Sequence, residues 1–276
     1  MQTVAMNDTE LEEYIKKNPD LEKFRNNILV YKGVKGTSLW SLMDETDKYS
    51  FQERMKCKKD GSKFSPSDYA RKKKISLSVA RAKMGECTLH PVPMILAVLE
   101  LFKPKKWLDP TSGWGDRLRG ALLANIPVYV GVDSNPGMIK PYENIIKAYP
   151  DSNTKVKMIS SKIQDVKLST KFDLVFTSPP FFTAEAYKGA TDWKSLNHFY
   201  EEFLEPFLNV CVSHLMMKGH LVLYIEKADP VRMIEFVQRM FPSMKYEGVF
   251  YYAGGMPRPY HVWKKVASRK TRKNHR

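Results

Sequence analysis

The sequence predicts an α/β protein built on a mostly parallel, doubly wound sheet, with a basic, mainly helical extension in front of it. Three observations predict it. From residue 89 onward, short apolar stretches of strand length alternate with longer stretches of helical periodicity, the pattern of strands joined by helical crossovers. The chain has 276 residues, 43% of them hydrophobic, which suits one large domain with a buried core and is too apolar for a disordered chain. The first 88 residues are lysine-rich and lack that alternation. The expected division is 1–88 as the extension, 89–266 as the main domain and 267–276 as a flexible basic tail.

Within the extension, 7–31 reads as one or two helices capped by Asp8 or Thr9, 56–68 as a loop and 76–84 as a helix. His90-Pro-Val-Pro93 opens a helix over 90–102, since proline is tolerated in a first turn and the apolar residues behind it share one face. Residues 106–108 form the first strand, running into Asp109, and 116–124 the helix after it. Residues 128–133 and 156–160 are the next two strands, with a helix over 138–149 between them. Residues 172–177 are the fourth strand, followed by a long amphipathic helix over 198–215. Lys218-Gly219 turns into a strand over 221–226, and 231–241 is a helix. Residues 249–253 and 261–266 close the domain as a strand pair around Gly254-Gly-Met-Pro-Arg-Pro259. No helix separates these last two, so the second is expected to run antiparallel to the rest, giving seven strands with one reversed.

Lys and Arg number 45 against 30 Asp and Glu, a net charge of +15 with His neutral. Segment 54–83 and segment 264–276 hold essentially all of that excess, and the second contains no acid. Two basic segments on a near-neutral body point to a polyanionic partner, DNA or RNA, because Lys and Arg neutralise phosphates and release counterions; a solvated face with a localisation signal is the competing reading. Cys57, Cys87 and Cys211 lie far apart and form neither a disulfide framework nor a zinc pair, which fits a reducing compartment, cytoplasm or nucleus. The six histidines show no ligand spacing, so no metal is expected. No apolar run reaches the length of a membrane helix, and the first residues lack the parts of a signal peptide.

An open α/β sheet binds its ligand at the carboxyl ends of its strands, so the loops there are the candidate site. The first is Asp109-Pro-Thr111-Ser-Gly113-Trp114-Gly115-Asp-Arg, whose glycines allow a tight turn and close approach of backbone to a ligand at a helix N-terminus. A dinucleotide phosphate loop fits less well, because Leu118 stands where GxGxxG has its third glycine. The second is Asp133-Ser134 at the end of the second strand, 20 residues past Gly113, where a carboxylate can accept both hydroxyls of a ribose or simply cap the next helix. The third is Ser178-Pro179-Pro180-Phe181 after the fourth strand: a stiff turn with fixed carbonyls, one polar side chain before it and an aromatic ring at its end. Trp114 lies inside the glycine loop and is set apart from the other aromatics, which are core by default.

These three segments, in this order, resemble the class I S-adenosylmethionine-dependent methyltransferases, and within them the nucleic-acid amino-methyltransferases of the N6-adenine and N4-cytosine type. Ser178-Pro179-Pro180-Phe181 stands for the family's (Asp/Asn/Ser)-Pro-Pro-aromatic tetrapeptide. Ser112-Gly-Trp-Gly-Asp-Arg-Leu118 is also similar to phage and large-virus methyltransferases. The resemblance implies a Rossmann-like methyltransferase fold and S-adenosyl-L-methionine as cofactor. It places Asp109, Thr111, Gly113, Trp114, Gly115, Asp133 and Ser134 at the cofactor, Pro91 near its methionine part, and Gln164-Asp165 at its adenine. It makes Ser178, Pro179, Pro180 and Phe181 the catalytic loop: the Ser178 side chain and Pro179 carbonyl accept the two N–H groups of an exocyclic amine, and Phe181 stacks on a flipped base.

Serine before Pro-Pro is commonest in cytosine-N4 enzymes, whereas the glycine loop coming first is the order of many adenine-N6 enzymes; adenine is favoured. No long insertion supplies a sequence-reading domain unless residues 1–88 do. The alternatives are a protein glutamine methyltransferase of the release-factor type, which carries Asn-Pro-Pro-Tyr in the same order, and a non-catalytic nucleic-acid-binding subunit of the same fold.

Overall fold

The computed structural model describes residues 3–5, 28–31, 71–75, 90, 92–182, 193–225, 230–252 and 259–267. The helices expected within 7–27 and 76–84, the 56–68 loop, Pro91 and residues 268–276 lie outside the described residues. Of the basic segment 54–83, residues 71–75 are described, with Arg71, Lys72 and Lys73 in an exposed helical turn.

Nine strands form one sheet: β1 (Thr3–Ala5), β2 (Ile28–Tyr31), β3 (Lys106–Asp109), β4 (Val128–Asp133), β5 (Lys155–Ser160), β6 (Phe172–Thr177), β7 (Leu215–Tyr224), β8 (Met244–Tyr252) and β9 (Pro259–Lys265), in the order β1-β2-β8-β9-β7-β6-β3-β4-β5. In the seven-stranded main body, β8, β7, β6, β3, β4 and β5 run parallel and β9 is reversed between β7 and β8. This is the expected Rossmann-like methyltransferase fold, with the reversed strand where the missing crossover placed it.

Helices cover both faces. One core gathers α1 (Val92–Phe102), α2 (Asp116–Leu123) and α3 (Ile139–Lys147) against Trp107, Tyr129, Leu174 and Phe176. The other gathers α5 (Glu205–His214), α6 (Pro230–Met240) and the short α4 (Leu196–Phe199) against Leu108, Val175, Leu221 and Trp263. Strands buried on both faces read as continuous apolar runs, as residues 174–176 of β6 do.

Four elements differ from expectation. The long helix over 198–215 starts at Leu196 and ends at His214, and a π-helical turn over Tyr200–Leu204 separates α4 from α5. Pro206 is at the start of α5, where it cannot donate to the preceding turn. Strand β7 begins at Leu215, and Lys218-Gly219 lies inside it: the pairing jumps from Phe172–Leu215 to Leu174–His220, so Met216, Met217 and Lys218 bulge outward. Lys218 has φ 66, and a Cβ on Gly219 would sit 3.0 Å from the Asp173 carbonyl. Strand β8 begins at Met244 rather than 249. Ile28–Tyr31, expected to end a helix, is a strand parallel to β8, and β1 pairs antiparallel to it. This four-residue apolar run pairs with residues 249–252 and satisfies backbone groups along that part of the β8 edge.

Candidate active site

The carboxyl ends of β3, β4, β6 and β7 meet the start of β9 along one edge. The β3–α2 loop is built there around Asp109, which is fully buried. Its Oδ2 accepts from Arg117 Nε at 2.9 Å and from the Tyr129 hydroxyl at 2.7 Å, and its Oδ1 accepts from Thr177 Oγ1 at 2.8 Å. Burial is the largest single influence and opposes charge on Arg117, but Asp109, Tyr129 and Asp116 together outweigh it and raise the guanidinium's pKa; Arg117 also donates to the Thr111 carbonyl. Burial pushes the Tyr129 hydroxyl well up, so it remains a donor. Asp109 thus binds Arg117, Tyr129 and Thr177 with its two oxygens and holds the loop in shape.

Thr111 joins the first and third segments. Its Oγ1 is 2.6 Å from Thr177 Oγ1 and donates toward the Ser178 carbonyl at 3.2 Å. Thr177 spends its own proton on Asp109, so the single Thr111 proton is shared between the Thr177 oxygen and the Ser178 carbonyl. Gly113 joins the first and second segments: its N–H donates to Asp133 Oδ2 at 2.7 Å. The other Asp133 oxygen accepts from Asn135 N at 2.9 Å. Burial pushes the Asp133 carboxyl up to about 6, against the lowering effect of those two N–H groups. The Tyr142 hydroxyl, its own pKa pushed well up by burial, donates to the Gly113 carbonyl at 2.6 Å and fixes the loop from α3.

The two glycines serve different ends. Gly113 has φ 57, and a Cβ there would meet nothing closer than the Thr111 carbonyl at 4.0 Å, so the loop is open on that side. Gly115 has φ 87, and its Cβ would strike Ile145 Cδ1 at 2.6 Å; here the backbone lies flat against α3. Trp114 is half-buried between them.

Ser178 and Pro180 are half-buried and Pro179 is buried. Phe181 meets Tyr224 edge-on at 5.3 Å, and Tyr224 stacks on Tyr260 at 5.1 Å. His90 completes this aromatic wall: its ring contacts Phe176, Tyr224 and Tyr260, Nε2 is 2.7 Å from the Tyr260 hydroxyl, and its N–H donates to Asp116 Oδ2 at 3.0 Å. Ser134 is exposed beside Asp133. Gln164, half-buried, and Asp165, exposed, lie in the Ile163–Asp165 turn beyond β5 on the same edge. Sequence reasoning missed Arg117, Tyr129, Tyr142, Thr177, Tyr224 and Tyr260; the legible signal was Thr177, a polar residue ending an apolar strand just before the proline motif. Among the described residues, no cluster of His, Cys, Asp and Glu could hold a metal ion, and no helix is long and apolar enough to cross a membrane.

No protein-family model and no curated protein matches the sequence. Solved structures do. The chain is similar to NSun6 from Pyrococcus horikoshii in complex with SFG, at 16% identity over 65% of this chain and 52% of that one, with a TM-score of 0.47. It is similar to TrmN from Thermus thermophilus at 15% identity, over 63% of this chain and 49% of that one, with a TM-score of 0.46. A putative class I S-adenosylmethionine-dependent methyltransferase from Listeria monocytogenes matches at 14% identity over 81% of this chain and 79% of that one, with a TM-score of 0.45. This chain spans about half the length of the first two.

Proposed function

We propose that this chain is an S-adenosylmethionine-dependent methyltransferase that methylates an exocyclic amino nitrogen of a nucleic-acid base, adenine N6 ahead of cytosine N4. One observation carries the reading: the glycine loop is hydrogen-bonded both to Asp133 and to the Ser-Pro-Pro-Phe turn, so three segments far apart in sequence close into one site.

The residues fit the cofactor. Each Asp133 oxygen takes one backbone N–H, which leaves each a lone pair for one of two ribose hydroxyls. Gly113 leaves the front of its loop open for close backbone contact, at the N-terminus of α2. When bound, the cofactor supplies an electrophilic methyl group on a sulfonium.

The chain's own groups orient the acceptor. The Ser178 hydroxyl and the Pro179 carbonyl take the two N–H bonds of the amine, drawing its nitrogen toward tetrahedral geometry and aiming its lone pair. Thr111, by holding the Ser178 carbonyl, couples that turn to the cofactor loop. Phe181, propped edge-on by Tyr224, offers a face for the base. The +15 net charge supports a polyanionic substrate.

The test is incubation with labelled cofactor and DNA, RNA or release factor, followed by digestion and identification of the methylated product. Ser178→Ala, run in parallel, is expected to lower single-turnover methylation by up to roughly 100-fold, the low end for loss of one oriented group, with cofactor affinity little changed. A fully active Ser178→Ala enzyme removes Ser178 from the reaction. Label on release factor alone replaces the nucleic-acid reading by the glutamine one.

A further inference from the structure

The edge of the sheet opposite the site, where the parallel strands begin, has its own chemistry. Register aligns Lys106 with Val128 and Val128 with Lys155, and Lys105 precedes them. On the other half, Lys245 is aligned with Lys264 and Lys264 with His220, and Lys218 stands on the β7 bulge between the two halves. Lys105, Lys106, Lys155, Lys218 and Lys245 are exposed. Three acids stand at this edge and engage other groups: the Asp173 carboxylate accepts the backbone N–H groups of Lys105 and Lys106, each at 2.8 Å, Glu247 faces His220 at 3.3 Å, and Glu100 pairs with Lys103 at 3.9 Å. At about 4.8 Å per strand the belt from β8 to β5 spans roughly 29 Å.

The same edge exposes apolar surface. Met216 and Met217, 43% and 54% exposed, stand on the bulge beside Lys218, and Met240, 37% exposed, ends α6 just before β8. A groove between the ends of α1 and α2, lined by Leu96, Leu99, Pro104 and Ile126 together with Glu100 and Lys103, opens on this edge as well. A merely solvated face has no reason to gather methionines. Spaced ammonium groups with adaptable apolar pads match a ligand that carries phosphates and unpaired bases together.

We propose that this amino edge docks single-stranded nucleic acid, phosphates on the lysine belt and unstacked bases on the methionines and the groove. The inference rests on the proposed function and adds where the substrate is held: away from the base pocket. Strand β9 runs from Tyr260 at the pocket to Lys265 at the belt, roughly 17 Å, so the docked backbone is a tether, and a base reaches the pocket from a strand already held. Residues 268–276 follow from the same edge with Arg269, Lys270, Arg272, Lys273 and Arg276 and no acid.

The test is fluorescence anisotropy with single strands of about 20 nucleotides and matching duplexes, titrated between about 50 and 200 mM salt. The K105Q/K106Q/K155Q/K245Q variant is expected to flatten the salt slope for single strands by about 0.7 per phosphate left without its lysine, close to 3 in all, while the corresponding four Lys→Arg changes keep the wild-type slope. Met216→Ser with Met217→Ser is expected to weaken single strands and leave duplexes unchanged. K155Q alone, expected to flatten the slope by the share of a single phosphate, serves if the quadruple variant melts early. A full salt slope in the glutamine variant overturns the docking site, as does tighter binding of duplex or of an acidic peptide than of single strands. Nucleic-acid methylation by the wild type beside an unaltered slope in that variant overturns docking alone; a wild type that binds no nucleic acid overturns both proposals.

Discussion

On the proposed reading, Asp133 ties cofactor binding to pH through a single carboxylate. Its position at the end of β4, 20 residues past Gly113, was legible, and the Gly113 N–H bond at 2.7 Å brings the two together. Its titration was not legible, because burial depends on what α3 and the glycine loop cover. With the carboxyl at about 6, Asp133 is ionised at neutral pH and largely protonated at pH 5. A neutral acid is a weak acceptor for ribose hydroxyls, so calorimetric affinity for the cofactor is expected to fall roughly tenfold from pH 7 to pH 5. In Asp133→Ala it is expected to fall roughly 10- to 150-fold at neutral pH and to become independent of pH over that range. A pH-independent wild type would take Asp133 off the ribose. The sign for folding is the reverse: a carboxyl whose folded pKa is raised contributes most below about 4, and its contribution falls as pH rises to about 6. Tyr142 escaped the sequence because its partner is 29 residues away and nothing local marks the pair; Thr177 was marked by its place at the end of an apolar strand, but its partner, 66 residues away, was not.

The β3–α2 loop and the strands around it show what patterning does and does not reveal. Both glycines were legible as turn residues, but only the structure separates an open position from a packed one. Gly115→Ala forces a left-handed φ on a residue with a Cβ and drives that Cβ into Ile145. A loss of about 2–5 kcal/mol of stability is expected, φ strain and overpacking together, seen as a lower melting temperature at roughly 2–4 °C per kcal/mol. Gly113→Ala meets open space, so it is expected to cost about 1–2 kcal/mol for φ alone and to weaken cofactor binding disproportionately. Equal melting temperatures for the two variants would mean that Gly115 does not pack as described. The first part of β8 was hidden although its alternation was present: Met244 and Tyr246 are buried, Lys245 is exposed, and Gly248 at the register shift breaks the pattern before Val249. In β7, Met216-Met217-Lys218 has the look of a loop because those residues leave the ladder and the chain then returns to it.

Across the whole molecule, strand–helix alternation made the seven-stranded sheet legible, and the missing crossover before β9 reversed that strand correctly. That reversal divides the basic C-terminal segment, which its composition presents as one continuous element. Lys264 and Lys265 belong to β9, and the Lys265 ammonium caps α5, donating to the Val212 and Leu215 carbonyls at 2.6 and 2.9 Å. Those two bonds commit the ammonium to the helix end, so it is a weak candidate for holding a phosphate. The cations that follow Val266 therefore start from the edge opposite the pocket. Truncation after Val266 keeps β9 and the Val266 N–H bond to the Ser243 carbonyl at 2.7 Å while removing five cations. Cofactor affinity is expected to stay unchanged, because the glycine loop and Asp133 lie at the other end of the strands. Nucleic-acid affinity is expected to fall, with the salt slope flattening by about 0.7–0.9 for each phosphate that the tail neutralises. If cofactor affinity falls instead and the salt slope holds, the tail serves the pocket, and the separation of a gripping edge from a reacting edge fails.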